Sequence, residues 1–306
     1  MKKDLISIKD LTPEEIEGIF VLTDELKKDN RKYSESLKGK TIALIFQKPS
    51  NRTRVSFAVG MFQLGGLSIY LGPDEISLGK REATRDVAMT LSRYVDGIVL
   101  RTFEHKNIIE LAKYSKVPVI NGLSDLLHPC QVLSDLYTLR EKWGFLKGKI
   151  LSFIGDGNNV THSLLYGCSK VGLNLNIATP EKFEPNKEIV SAAKRFAVIS
   201  GAKINLSNDP LKACKDADAL YTDVWISMGQ EKESAMRRKV FKNFQLNKRL
   251  VSQAKRDCLI MHCLPAHRQE EITDEVMDSE NSIIFDQAEN RLHVQKSVLL
   301  KLLGER

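Results

Sequence analysis

Short β-branched runs alternate with amphipathic stretches along almost the whole chain, and this alternation limits the fold more than any other feature. Residues 41–46, 67–71, 97–100 and 117–120 read as strands in the first half; 150–154, 175–178, 204–206, 219–224, 259–261 and 283–285 do so in the second. Helical patterns fill the gaps. Thr12-Pro13-Glu14-Glu15 opens one, with Thr as N-cap, Pro at the first position and Glu at the third, followed by the apolar stripe Ile16, Ile19, Phe20 and Leu26. The polar stretch 74–86 reads as a loop before a helix to about Tyr94. Another helix starts at Pro129 and runs to Trp143, and the last spans about 288–303. Strands separated by helices predict α/β architecture with parallel sheets. At 306 residues the chain is long enough for two domains of about 150 residues each.

Polar residues gather where the expected strands end. After 41–46 comes Gln47-Lys48-Pro49-Ser50-Asn51-Arg52-Thr53-Arg54. Pro49 keeps Lys48 out of helical geometry, so a helix is expected to begin near Ser50, itself a good N-cap. A helix N-terminus with two hydroxyls and two guanidiniums is suited to phosphate oxygens. The bland alternative is a capped helix with solvated arginines. Arg101, His128-Pro129-Cys130-Gln131, Asn159, Asp223 and His262-Cys263-Leu264-Pro265 also fall at strand ends. In open α/β sheets ligands bind beyond those ends, so two sheets facing each other there are expected to form one cleft.

Composition excludes several classes. Five cysteines at irregular spacing argue against a disulfide framework and for a reducing, cytoplasmic setting. No stretch reaches the ~20 apolar residues of a membrane span, and the N-terminus lacks the apolar core of a secretion signal. A net charge of +7 is too diffuse to indicate nucleic-acid binding. The densest basic region, 237–249, reads as a solvated helix face.

Two tempting motifs are weak. In Gly155-Asp156-Gly157-Asn158-Asn159-Val160 the third glycine of a dinucleotide fingerprint is replaced by Val160, leaving a tight strand-to-helix turn whose amides suit an amino-acid end group. His262, Cys263 and His267 match no strong zinc spacing. Cys263 as a covalent nucleophile needs a histidine base, and His262 next to it points to the opposite face of a strand.

Taken together, Ser50-Asn51-Arg52-Thr53-Arg54, His128-Pro129-Cys130-Gln131, 223–231, His262-Cys263-Leu264-Pro265 and 285–293 resemble the ornithine carbamoyltransferases of the aspartate/ornithine carbamoyltransferase family, in the right order over essentially the whole chain. The resemblance implies two α/β domains with the active-site cleft between them. Residues 1–145 would bind carbamoyl phosphate and 146–289 would bind ornithine, with a C-terminal helix of about 290–306 packing back on the first domain. It implies transfer of the carbamoyl group to L-ornithine, giving L-citrulline and phosphate in arginine biosynthesis. It also implies a homotrimer or an assembly of trimers, no metal and no organic cofactor, with neither nucleic acid nor membrane as partner.

The resemblance also assigns roles. Ser50, Asn51, Arg52 and Thr53, with Arg54 nearby, would hold the phosphate, and Arg291 would complete that site. Arg101, His128 and Thr53 would polarise the carbamoyl carbonyl. Gln131 and the main-chain carbonyls of Cys263 and Leu264 would fix the carbamoyl amide. Asn159, Asp223, Ser227 and Met228 would bind the amino-acid end of ornithine, with Asp223 and Cys263 also near the reacting amine. The loop around Ser227-Met228-Gly229 would close on the second substrate.

Two stretches depart from the family pattern, at Asn51 and at Ser77 to Arg81, where Arg81 replaces the usual Gly. Asn51 replaces the usual Thr. Ser77 stands where ornithine enzymes usually carry Gln, and Ser77-Leu78-Gly79-Lys80 is closer to the corresponding loop of aspartate carbamoyltransferases. Ser77 or Lys80 contacting carbamoyl phosphate across a subunit interface is one reading; drift in a mobile loop is the other. A carbamoyltransferase with another amine acceptor such as putrescine, or a non-catalytic phosphate-binding regulatory paralogue, are the alternatives.

Overall fold

The apolar, β-branched run Thr41–Phe46 forms β1 and is buried from Ile42 onward. In this computed structural model the described residues are 3–304 other than 30, 77, 80 and 228. The chain divides into two units, Met1–Tyr137 with Glu289–Arg306, and Thr138–Ala288.

In the first unit β1 is joined by β2 (Leu67–Leu71), β3 (Gly97–Arg101) and β4 (Val119–Leu123). The sheet is parallel with order β2-β1-β3-β4. Central β1 and β3 are near-continuous apolar runs, as parallel strands covered on both faces require. From β1 the chain winds outward to β2, then returns to β3 and winds the other way. The winding therefore reverses between β1 and β3, where Phe46 pairs with Arg101. That reversal opens a crevice at their carboxyl ends.

The capping box at Thr12 and Glu15 starts the helix Pro13–Lys28 as expected, and Ile16, Ile19, Phe20 and Leu26 are buried. Within the same unit Thr23 Oγ1 meets Ser297 Oγ at 2.7 Å, which ties this helix to the final one, Ile284–Leu303. The 74–86 loop expectation is corrected in part. A short helix, Pro73–Ile76, lies inside it, and the next helix, Thr84–Leu91, stops before Tyr94. β4 also begins and ends later than the hydrophobic run predicted. Asp4 Oδ1 takes the Val119 N–H at 2.8 Å, and Asn121, which looks like a turn residue, instead donates its N–H to Leu5 O at 2.8 Å.

The second unit holds β5 (Ile150–Ile154), β6 (Asn174–Ala178), β7 (Ile204–Ser207), β8 (Ala219–Thr222) and β9 (Leu259–His262). They form a parallel sheet of order β7-β6-β5-β8-β9. Its winding reverses between β5 and β8, where Ile154 pairs with Thr222. β8 is two residues shorter than expected because Asp223 leaves the ladder and accepts the Val224 N–H on its own Oδ1 at 2.8 Å.

The strand expected at 283–285 is not a strand. A single bridge joins Ile260 to Ser282. The Ile283 carbonyl then accepts the Gln287 N–H at 2.8 Å, which begins the helix Ile284–Leu303. Three β-prone residues cannot outweigh a helix that continues for five turns. The solvated face expected at 237–249 is corrected as well: Arg237, Phe241 and Phe244 are buried, and both phenylalanines join the core around Trp225. Among the described residues no helix is long and apolar enough to cross a membrane.

Candidate active site

In the first unit the site grows from the crevice between β1 and β3. Ser50 caps the helix Asn51–Gln63 with its Oγ accepting from Thr53 N at 3.3 Å. The turn therefore presents a helix N-terminus, as its sequence predicts. Asn51 is exposed, and its Oδ1 accepts the Arg52 N–H at 2.7 Å. Arg54 is directed elsewhere: its guanidinium stacks over the Tyr70 ring at 3.7 Å. Arg101 ends β3 and is buried.

Arg291 arrives on the last helix and is the connecting member of this set. Its Nη2 donates to Thr53 Oγ1 at 3.2 Å and its Nη1 to Gln131 Oε1. Gln131 is held from its other end by donating Nε2 to Asp135 Oδ1 at 2.8 Å. Its oxygen keeps a second lone pair for another N–H. With its amide turned to satisfy both ends, Gln295 accepts from Arg291 Nη2 at 2.9 Å.

His128 lies just before the helix Pro129–Trp143 and is buried. Burial, and then the charges of Arg291, Arg101 and Arg52, hold its pKa well below the ordinary imidazole value. An uncharged imidazole beside three guanidiniums combines positive potential with a neutral hydrogen-bond donor, a pairing able to serve an anion and a polar carbonyl together. Next to it, burial pushes the Cys130 thiol up to about 12, so it stays protonated.

In the second unit the site grows from the crevice between β5 and β8. Asp223 is buried and held at both oxygens. Oδ2 accepts from Asn158 Nδ2 at 2.8 Å, and Oδ1 accepts from the Cys263 thiol at 2.9 Å. Asn158 also caps the helix Asn159–Val171, its Oδ1 accepting from Val160 N at 3.0 Å and Thr161 N at 3.2 Å. Asn159 is thus the first helical residue. The Ser227 N–H donates to Gln230 Oε1 at 3.0 Å, which folds that loop on itself. Met228 lies outside the described residues, as do Ser77 and Lys80.

His262 does not face Cys263. Its Nε2 meets Glu271 Oε1 at 3.0 Å, so His262, Cys263 and His267 do not converge on one point. Among the described residues, His267, Glu270 and Glu271 bring ligand atoms within 4.8 Å of one another. Glu270 there is already paired with Arg238, at 3.0 Å.

Sequence reasoning read Asn158 as a ligand amide and missed its capping role, and it missed Asp135, Gln295 and the buried pair of Asp156 and Arg237, whose Oδ2 and Nη1 lie 2.8 Å apart. Asn158 was findable, since Asn directly before an apolar-periodic stretch is an N-cap signal. The others carry no local signature.

The chain matches two family models. The aspartate/ornithine carbamoyltransferase carbamoyl-P binding domain covers residues 3–141. The Asp/Orn binding domain of the same family covers residues 147–302. The ornithine carbamoyltransferase of Thermococcus kodakarensis is 52% identical over 304 residues, covering 99% of this chain and 96% of that protein. The Bacillus subtilis ornithine carbamoyltransferase is 51% identical, covering 98% of this chain and 94% of that protein. The solved structure of the Pyrococcus furiosus ornithine carbamoyltransferase superposes with a TM-score of 0.96 at 51% identity, over 99% of this chain and 97% of that one. Two domain models in order over nearly every residue, and relatives at half identity across more than nine-tenths of their length, carry one conclusion: the chain belongs to the aspartate/ornithine carbamoyltransferase family of enzymes.

Proposed function

We propose that the protein is an ornithine carbamoyltransferase, moving the carbamoyl group of carbamoyl phosphate to the side-chain amine of L-ornithine. The observation that carries this reading is the set of three guanidiniums, Arg52, Arg101 and Arg291, acting on one buried, uncharged His128. Phosphate alone needs no imidazole; a phosphate joined to a carbonyl uses both.

In this reading the Ser50 turn, with Asn51, Arg52 and Thr53, holds the phosphate oxygens through helix N–H groups and charge. Arg291 closes that site. Arg101, Thr53 and His128 donate to the carbamoyl oxygen and stabilise the negative charge it gains as the amine adds. The second lone pair of Gln131 Oε1 and the carbonyls of Cys263 and Leu264 accept from the carbamoyl NH2. Asn159, Asp223, Ser227 and Met228 take the amino-acid end of ornithine, and Asp223 with Cys263 lies near its reacting amine.

The attacking nitrogen must carry a lone pair, whereas a lysine-like amine is protonated below pH ~10.4. The neutral amine adds to the carbonyl carbon, the C–O bond to phosphate breaks, and the departing phosphate takes the amine's proton. No covalent enzyme intermediate is needed, and the gain comes from positioning and from fixed donors around the oxyanion.

The half-identical relatives named ornithine carbamoyltransferase support ornithine as acceptor. Putrescine offers no carboxylate for the groups around Asn159. A biosynthetic role in arginine formation, a trimeric assembly and a cytoplasmic setting complete the proposal. Purified protein given carbamoyl phosphate with ornithine, putrescine or aspartate is expected to form citrulline with ornithine far faster than product with either alternative. Folded protein that makes no citrulline overturns the assignment, and sedimentation velocity reads the trimer.

A further inference from the structure

Beyond β9 the chain makes an unusual turn. Leu264 adopts φ +58, the left-handed region that a residue with a branched side chain enters only when its surroundings hold it there. The Leu264 N–H supplies one restraint by donating to His262 Nδ1 at 2.8 Å. A backbone N–H can only donate, so Nδ1 must carry its lone pair. The ring proton then sits on Nε2, which faces Glu271 Oε1 at 3.0 Å. The tautomer of His262 thus follows from the geometry.

Glu271 has no exposed surface and His262 almost none. The same Oε1 also accepts the His267 N–H at 2.5 Å. One carboxylate oxygen therefore grips both ends of the 262–267 loop: the imidazole at its start and the backbone at its finish. Gln287 Oε1 adds a third hold, accepting the His262 N–H at 3.0 Å. Between these grips lie Cys263, whose thiol donates to Asp223 Oδ1 at 2.9 Å, and the Leu264 backbone.

We propose that Glu271 is a positioning residue for carbamoyl transfer, acting through His262. By fixing the Nε2–H tautomer it leaves Nδ1 as the acceptor that holds Leu264. It thereby aims the Cys263 and Leu264 carbonyls at the carbamoyl amide and keeps the Cys263 thiol on Asp223. This inference rests on the function proposed above. Without the carboxylate, Nδ1 can take the ring proton, and Leu264 loses its acceptor. The main chain of 263–264 then moves while the guanidinium site for phosphate stays intact.

Glu271→Ala is expected to lower kcat about 10- to 100-fold, the scale of a displacement near 1 Å at reacting groups, with the KM for carbamoyl phosphate changed less than about threefold. Glu271→Gln retains an acceptor oxygen and is expected to recover most of kcat. In the unmodified enzyme, ¹⁵N NMR of the His262 ring is expected to give a protonated Nε2 and an unprotonated Nδ1. Folded Glu271→Ala with unchanged kcat, equal losses in both variants, or a ring protonated on Nδ1 each overturns the proposal. The ring measurement needs no variant and decides the matter even where Glu271→Ala fails to fold. Unmodified enzyme that makes no citrulline overturns the underlying function, a result distinguished by appearing before any substitution is made.

Discussion

Arg237 donates from Nη1 to Asp156 Oδ2 at 2.8 Å, and both side chains are buried. The same Nη1 donates to Trp225 O at 3.0 Å. One guanidinium therefore joins the turn after β5 to the segment after β8, on either side of Asp223. Burial raises the Asp156 pKa despite the opposing charge of Arg237, so this pair is held in place by the fold as much as it holds the fold.

Removing one partner leaves the other buried without compensation. Arg237→Met is expected to destabilise the protein by about 3–5 kcal/mol, read as a fall in the urea midpoint. Asp156→Asn in the Arg237→Met background is expected to restore part of that loss. A change below about 1 kcal/mol for the single substitution would remove the claim.

His128 predicts a pH dependence of stability. The unfolded chain takes up a proton on this imidazole near pH 6.5, whereas burial and then the three arginines delay that uptake in the folded chain to lower pH. Between those two values the unfolded state binds more protons, so stability falls as pH drops below about 6.5 and is recovered as pH rises through it. His105 and His293 shift in the same direction, mainly through burial. The informative quantity is therefore the difference between unmodified protein and His128→Gln. Its slope is expected to approach ~1.4 kcal/mol per pH unit within that window, measured by urea unfolding at stepped pH. Parallel curves would contradict it.

Arg291→Lys keeps the charge but cannot span Thr53 and Gln131 with a planar fork. The KM for carbamoyl phosphate is expected to rise about 10- to 100-fold, in line with the ~1.5–3 kcal/mol of a charged hydrogen bond. The KM for ornithine is expected to change much less. Initial rates with each substrate varied in turn test this, and an unaltered carbamoyl phosphate KM would refute it.

Cys263 is the half-exposed cysteine, and the other four are buried. Burial pushes Cys130 and Cys214 up to about 12, which further suppresses their thiolates. Iodoacetamide is expected to modify Cys263 ahead of the other four thiols, mapped by peptide mass, at a rate held down by the Asp223 carboxylate that keeps its proton, and Cys263→Ala is expected to abolish this first phase. Ornithine is expected to slow it. Rapid alkylation of two or more thiols would be inconsistent with this arrangement.

Local chemistry was legible wherever one segment decides it. β1 matches its apolar run residue for residue, and Thr12 and Ser50 cap the helices their positions predict. Failures came where distant residues intervene. Ile283, Ile284 and Phe285 resemble a strand until the helix that follows extends back over two of them. Asn121 looks like a turn because nothing nearby announces that Leu5 will pair with its N–H. In the site, Arg52, Arg101, His128 and Asp223 stood out as polar groups at strand ends. Asp135, Asp156, Arg237 and Glu271 did not, because each matters through a side chain it meets only after folding.

The Arg291 bridge has a consequence for the order in which the molecule becomes competent. Thr53 precedes Arg291 by 238 residues and Gln131 precedes it by 160. During synthesis the first sheet, the Ser50 turn and His128 all leave the ribosome well before the guanidinium that joins them. A growing chain can therefore complete its first sheet while the proposed anion pocket still lacks one wall. Any product of premature termination before residue 291 carries the early machinery without the group that links it, which makes translation of the last helix the step that arms the pocket.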